Sequence, residues 1–166
     1  MEFMKEITRL VNDTKRNQEN AKALLQVRDK IEGLTVQEQE LGLENKFLIM
    51  KQQVLKISNG RAQERHLFLL DKMLVYAREN PVKKGFFQLK GRIPLDKFII
   101  QDIPSSAMDA DTSSGVMKHA WLIVRDDLNA KKYTIVNKTL KDKKQWLEEI
   151  ERAQSEFKRR TANTAN

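Results

Sequence analysis

The sequence contains no cysteine, which excludes a disulfide framework, thiolate chemistry and any cysteine-based zinc site. Histidine is nearly as scarce. His66 and His119 stand apart from each other, so both are expected to be structural and no metal site is expected. Apolar runs stop at about four residues, far short of the ~20 that a membrane-spanning helix needs. No secretory signal is visible. A Gly-rich phosphate loop and a nucleophile motif are missing too. The carboxylates Asp126-Asp127 and Glu148-Glu149-Glu151 have neither apolar surroundings nor a neighbouring base, which leaves acid–base catalysis without a foothold. Neither an enzymatic activity of this stretch by itself nor a cofactor is therefore expected.

What the sequence does have is charge, unevenly placed. The 31 Lys and Arg exceed the 23 Asp and Glu by eight. Residues 1–33 carry seven basic and six acidic groups, and 34–45 only three Glu. Residues 46–100 carry twelve basic against four acidic groups, and 101–166 twelve against ten. The surplus therefore sits in the first half of the expected globular part. Such a face suits nucleic acid, anionic lipid or an acidic protein partner, or is a solvated surface that keeps the chain soluble. Nucleic acid is the weakest of these. No RNA-binding motif is present, and Phe86-Phe87 are expected to straddle a sheet rather than stack on bases.

Hydrophobic periodicity divides the chain. Residues 1–3, followed by Met4, read as a cloning remnant and carry no weight. Phe3, Ile7, Leu10, Ala21, Leu24 and Ile31 form a heptad-like stripe, which predicts a long amphipathic helix with Gly33 as its C-cap. A lone helix of this length is marginal in water, so the stripe should pack on something. Residues 34–45 read as an acidic linker. From Lys46 onward seven short β-like runs follow, with turn signals at Asn59-Gly60, Asn80-Pro81, Pro94 and Asp126-Asp127. "PSSAMDADTSSG" reads as a mobile loop between the fifth and sixth runs. A helix then starts behind Thr139 as N-cap, with Asp142 three residues on, and continues through Leu140, Trp146, Ile150, Ala153 and Phe157. Trp121 and Trp146 are expected in the core, and residues 159–166 as a disordered tail. The fold class is thus mainly β with α: a seven-stranded, partly open barrel capped by a C-terminal helix and preceded by a long N-terminal helix.

Strand count and the terminal Trp-bearing helix resemble a pleckstrin-homology (PH) domain over 46–158. "LVNDTKRNQENAKALLQVRDKIEG" is similar to the last helix of a Dbl-homology (DH) domain, the Rho-family nucleotide exchange domain, which would make 1–33 the end of that domain. "LKISNGRAQERHLFLLDKMLVY" resembles the opening PH hairpin of P-Rex-type Rac exchange factors, and hairpins of the FGD and Vav types are also close. "LKGRI" and "KDKKQWLEEI" fit the same pattern, and the likeness covers roughly residues 7–157.

The resemblance implies a membrane-targeting, regulatory module of an exchange factor. It would bind phosphoinositide, 3-phosphorylated by analogy, and work beside a Rho/Rac GTPase engaged by the upstream DH domain. It would be cytoplasmic and recruited to the inner face of the plasma membrane. Phosphoinositide-binding PH domains carry a Lys late in the first strand and [KR]-x-R entering the second. Here Lys56 and Arg65 fill the two ends of that clamp, while Gln63 stands at the middle cation. By resemblance Lys56, Arg65, Tyr76 and Lys90 line the headgroup pocket, with Arg92 on the Lys90 strand face and Arg61 on the loop. Arg78, Lys83 and Lys84 are expected to make nonspecific membrane contacts from a short loop. The competing expectation is a protein-interaction PH domain without useful lipid affinity. Lys15, Arg16 and Lys22 of the first helix read as a near-neutral solvated face.

Overall fold

From Leu48 onward the apolar residues gather in short β-like runs, and over 67–70 and 73–77 these runs are continuous and buried on both faces of the pleat. The computed structural model describes residues 2–103, 119–126 and 131–164, with side chains described between 15 and 161. Its elements are α1 (Glu2–Arg28), β1 (Ile31–Glu32), α2 (Leu34–Leu41), β2 (Leu48–Ser58), β3 (Arg61–Leu70), β4 (Met73–Glu79), β5 (Phe87–Pro94), β6 (Phe98–Asp102), β7 (Ala120–Arg125), β8 (Lys132–Val136) and α3 (Leu140–Thr164). The strands form one sheet in the order β1-β5-β4-β3-β2-β8-β7-β6. All pairings are antiparallel except β1 with β5. The strands at its two ends do not pair with each other, so the barrel is partly open. The seven expected strands are β2 to β8, and the two-residue β1 is an addition.

The pleat sorts side chains into two cores. Val54, Leu67, Leu69, Leu74, Ile93, Trp121, Ile123 and Ile135 face α3, whose Trp146, Ile150, Ala153 and Phe157 close the barrel. Trp121 and Trp146 are both fully buried and stack with ring centroids 6.5 Å apart. A buried aromatic removes 150–250 Å² from water, which at about 25 cal/mol per Å² is roughly 4–6 kcal/mol each. Their N–H groups are satisfied as well. Trp121 Nε1 donates to Asn137 Oδ1 at 2.8 Å, and Trp146 Nε1 to Gln52 Oε1 at 2.7 Å, which also accepts from Asn137 Nδ2. Thr139 caps α3 through its Oγ1, which accepts from the Asp142 N–H at 3.1 Å.

The opposite pleat face, Leu48, Phe68, Leu70, Met73, Val75 and Ala77, packs against Leu24, Val27, Ile31 and Leu34. This is what covers the lower half of the α1 stripe. Phe3, Ile7 and Leu10 lie outside the described side chains, and the "PSSAMDADTSSG" segment lies outside the described residues.

Three expectations change. Gly33 does not cap α1, which ends at Arg28; it takes φ 94° as the N-cap of α2. Residues 34–45 contain the helix α2 and a buried polar knot instead of a plain connector. There Glu38 Oε2 accepts from Arg28 Nη2, from the Asn45 N–H and from Asn45 Nδ2. Arg28 Nη2 also donates to the Asn45 carbonyl at 2.6 Å, and Asn45 Oδ1 accepts from the Lys72 N–H. Finally, residues 159–164, expected as disordered tail, continue α3 to Thr164. Helical spacing carries the segment onward, and Arg160 reaches Glu156 one turn back.

Candidate functional site

Register brings the ends of β2, β3, β4, β7 and β8 to one end of the sheet. Ser58 pairs with Arg61, His66 with Ala77, Ile57 with Thr134 and Val124 with Lys132. The β2–β3 hairpin closes through Asn59 and Gly60, whose φ values of 53° and 76° suit the twist of a two-residue turn. Strand alternation then aims a set of cations along the barrel-interior side of the pleat. Lys56 follows Val54 on β2, and Arg61, Gln63 and Arg65 precede Leu67 on β3. Arg65 stands opposite Val54, and Gln63 opposite Lys56.

Lys56 is the centre of this set and is only 8% exposed. Its Nζ lies 4.7 Å from the Tyr76 ring centroid and 4.2 Å from that of Tyr133. The two rings face the ammonium with their negative π surfaces, an arrangement that partly replaces lost hydration. Burial, then the positive charges of Arg65 and Lys131, holds its pKa below the ordinary lysine value. Tyr76 is pushed up to about 12 by burial, by the charge of Tyr133 and by a hydrogen bond to it, against the pull of Arg125 and Arg65. The hydroxyl end of the Tyr76 ring lies against Gly91, so close that a Cβ there would come within 2.1 Å of Cζ. Only glycine admits that approach.

The structure therefore brings together Lys56, Arg65 and Tyr76 and adds three residues that sequence reasoning missed: Arg125, Lys131 and Tyr133. Their signal was present. Trp121-x-Ile123-x-Arg125 and Lys131-x-Tyr133-x-Ile135 alternate in period two, which puts the charged residue at the strand end on the core-facing side. The Arg125 N–H donates to the Lys131 carbonyl at 2.9 Å, so the two backbones meet. Among the described residues no carboxylate pairs with Lys56, Arg61 or Arg65; the Arg65 guanidinium donates to the Glu64 carbonyl at 2.8 Å.

The other expected residues are placed differently. Arg61 is exposed at the hairpin turn. Lys90 is exposed and has no cross-strand partner, because the β4–β5 ladder skips from Leu89 to Gly91 beside Tyr76. Arg92 is not part of the cluster. It pairs with Val75, which belongs to the face packed on α1, and its Nε is buried without a hydrogen-bond partner. The bulge at Lys90 breaks the alternation on which the shared face of Lys90 and Arg92 rested. Arg78 borders a depression of about 450 Å³ that is lined by Gln63 and Arg65 of the hairpin mouth and by Gln53, Glu64, His66 and Glu79. His66 is held below its ordinary pKa by burial, stacks on Phe68 and meets Phe87 at a tilt, a structural role.

A cleft of about 490 Å³ lies between α1 and α3. Most of its charges pair within it, Arg16 and Arg152 with Glu149 and Arg160 with Glu156 and Asp71, and Arg159 also lines it. It reads as a joint between helices, and Arg16 is thereby taken from the solvated face expected for it. Among the described residues no group of three or more His, Asp or Glu is disposed to hold a metal, and no helix is long and apolar enough to cross a membrane.

Comparison with known proteins agrees with this architecture. The SOS1/NGEF-like PH domain profile matches residues 14–153. The mouse phosphatidylinositol 3,4,5-trisphosphate-dependent Rac exchanger 1 protein is 27% identical over 94% of this chain and 10% of its own length. The rat proto-oncogene vav is 27% identical over 92% of this chain and 17% of its own. Among solved structures, inhibitor-bound Vav1 superposes with a TM-score of 0.68 at 25% identity, covering 92% of this chain and 37% of that one. The DH/PH fragment of PDZRHOGEF solved with human RhoA gives 0.68 at 20% identity, with 92% and 43% covered, and shares the fold. The chain spans about a tenth of the length of the Rac exchanger relatives it matches. It belongs to the SOS1/NGEF-like PH domain family, and its homologues are Rho-family exchange factors.

Proposed function

We propose that this chain is the membrane-directing and regulatory PH module of a Rho-family guanine nucleotide exchange factor, taking a phosphoinositide headgroup on the cationic cluster at the open end of its barrel. The observation that carries the reading is the convergence of Lys56, Arg65, Arg125 and Lys131 around the Tyr76–Tyr133 pair, close enough for Arg65 and Lys131 to depress the Lys56 pKa. Like charges gathered at a rim cost free energy in the unliganded protein. A polyphosphate would relieve that repulsion, and phosphate is well matched by guanidinium and ammonium donors on rigid strands. The name of the mouse relative, dependent on phosphatidylinositol 3,4,5-trisphosphate and acting on Rac, supports a 3-phosphorylated lipid and a Rac-type GTPase engaged through a DH domain. Exchange chemistry belongs to that domain, and this stretch contributes docking at the inner leaflet of the plasma membrane and restraint of the domain beside it.

Titration with soluble inositol polyphosphates tests this, with inorganic phosphate as reference. Lys56→Ala and Arg65→Ala should each weaken the polyphosphate by about tenfold or more, since a charge-assisted hydrogen bond contributes about 1.5–3 kcal/mol. Equal affinity for both ligands, or no loss in either variant, would overturn the headgroup site.

A second reading is favoured by one observation. Lys56 is sheathed by the two Tyr rings, and Gln63 occupies the middle cation position. A cluster so covered suits a protein-interaction PH domain that meets an acidic partner through Arg61, Arg65 and Lys131. Flotation with liposomes lacking and containing phosphoinositide separates the two: recovery independent of the phosphoinositide selects the protein partner.

A further inference from the structure

The tip of the β2–β3 hairpin stands clear of the rest of the sheet. β8 pairs with β2 only as far as Ile57, and β4 pairs with β3 only from His66. Ser58, Asn59, Gly60 and Arg61 thus form a tip with no third strand paired to it among the described residues, and Asn59, Gly60, Arg61 and Ala62 are exposed. Ser58 sits half-buried at the base of this tip. It follows Val54 and Lys56 on the core-facing side of the pleat, and its cross-strand partner is Arg61. Side chains opposed in this way have Cβ atoms about 5 Å apart. Lys56, two residues back on the same side, is roughly 7 Å away along the strand. The Ser58 hydroxyl therefore borders the cationic mouth, with Gln63 and Arg65 farther along the facing strand. The stretch 45–63 around it contains no acid and carries Lys46, Lys51, Lys56 and Arg61.

We propose that Ser58 is a phosphorylation site for a basophilic Ser/Thr kinase, and that its phosphate docks on Arg61, Lys56 and Arg65 and closes the cationic mouth to polyphosphates. In the transfer, Ser58 Oγ bonds to the γ-phosphorus of ATP, the bond from that phosphorus to the ADP oxygen breaks, and the hydroxyl proton passes to the kinase's general base. Lys56 two residues before the serine and Arg61 three after it supply a charge pattern of the kind by which kinases choose substrates. A tip without neighbouring strands opens at low cost into the extended form that a kinase cleft takes. The product carries about −1.5 to −2 charges and three acceptor oxygens. Opposite Arg61 these oxygens form charge-assisted hydrogen bonds and offset the repulsion among the gathered cations. The closure of the mouth rests on the headgroup reading, but the docking of the phosphate does not.

The folded parent chain and Ser58→Ala, incubated with ATP and a panel of basophilic kinases and mapped by mass spectrometry, test the site. Phosphate should appear at Ser58 in the parent, and its absence there with every kinase of the panel overturns the site. Phosphoserine placed at 58 by codon reassignment then reports the docking through its ³¹P titration. Its second pKa should fall from about 6 to about 5 or lower, and return towards 6 when Arg61→Ala is added. A pKa equal to that of phosphoserine in a peptide of residues 52–64 overturns the docking. The phosphorylated chain should bind soluble inositol polyphosphate at least about tenfold more weakly than the parent, whereas Ser58→Ala keeps the parental affinity and melting temperature. A lowered phosphate pKa with unchanged polyphosphate affinity overturns the closure. A parent that binds the polyphosphate no better than inorganic phosphate overturns the headgroup site alone, with the docked phosphate still standing.

Discussion

Adding a single methyl group at Gly91 tests the packing that shields the cationic cluster. An alanine Cβ there would stand 2.1 Å from Tyr76 Cζ, 2.2 Å from its hydroxyl oxygen and 2.6 Å from Cε1, where ordinary contact begins at 3.4 Å. The Tyr76 ring must therefore move by more than an ångström, which disturbs its contacts with Tyr133, at 6.0 Å between centroids, and with Lys56 Nζ. Overpacking of this kind costs about 1–3 kcal/mol. Loss of one partly desolvated cation–π contact adds about 0.5–1 kcal/mol. Gly91→Ala should thus be destabilised by about 2–4 kcal/mol, a fall in Tm of about 4–16 °C for a chain of this size. The clash lies with the ring, so Tyr76→Phe should not relieve it. In a Tyr76→Ala background the added methyl should cost almost nothing, which makes the two positions strongly coupled in a double-mutant cycle. Tyrosine ionisation gives an independent reading, because the chain has two tyrosines. Tyr76, held at about 12 mainly by burial, should titrate closer to its ordinary value of 10.0 once displaced. An unchanged Tm together with an unchanged alkaline titration would refute the account of Gly91 as the floor beneath Tyr76.

Three further outcomes follow from the packing. The folded pKa of Tyr76 lies above its unfolded value of 10.0, so its contribution to stability is complete below pH 10 and is lost as pH rises through about 12. Chemical denaturation of the parent and Tyr76→Phe across that window should show the parent losing stability faster; parallel curves would count against it. Gln52→Leu leaves Trp146 Nε1 and Asn137 Nδ2 without their acceptor. At about 1–3 kcal/mol per orphaned donor the loss should be about 2–6 kcal/mol, measured as a lower denaturation midpoint with unchanged polyphosphate affinity. Arg28→Ala removes the cation beside the buried Glu38 carboxylate and a donor to the Asn45 carbonyl, and should cost about 3 kcal/mol. Amide exchange in the last turn of α1 should rise in that variant, and protection equal to the parent's would show that the knot does not hold the helix.

Much of the fold is legible in one dimension because its cause is one-dimensional. Short β-like apolar runs between turn signals mark β2 to β8, the Asn59-Gly60 pair marks the hairpin turn, and Thr139 with Asp142 marks the start of α3. Each needs only neighbours within a few residues. That Lys56 and Arg65 stand on one face of neighbouring strands is local in the same way, since it depends on the register of a single hairpin.

What the linear chain left open is what depends on partners far away in it. Residues 34–45 look like a connector because their polar groups are satisfied only by Arg28 and Lys72, which lie outside the segment. Arg92 looked equivalent to Lys90 until the bulge opposite Tyr76 shifted the alternation, a consequence of pairing between two strands. Charge counting put the excess in residues 46–100, but Arg125 and Lys131 join the cluster from strands outside that stretch, because β8 pairs with β2. The sequence by itself determined the elements, their amphipathic faces and the net charge, all of which are local properties of the chain. Only the tertiary structure decided that Lys56 lies under two tyrosine rings with other cations at its side, because burial and Coulomb interaction depend on distances that sheet closure alone creates.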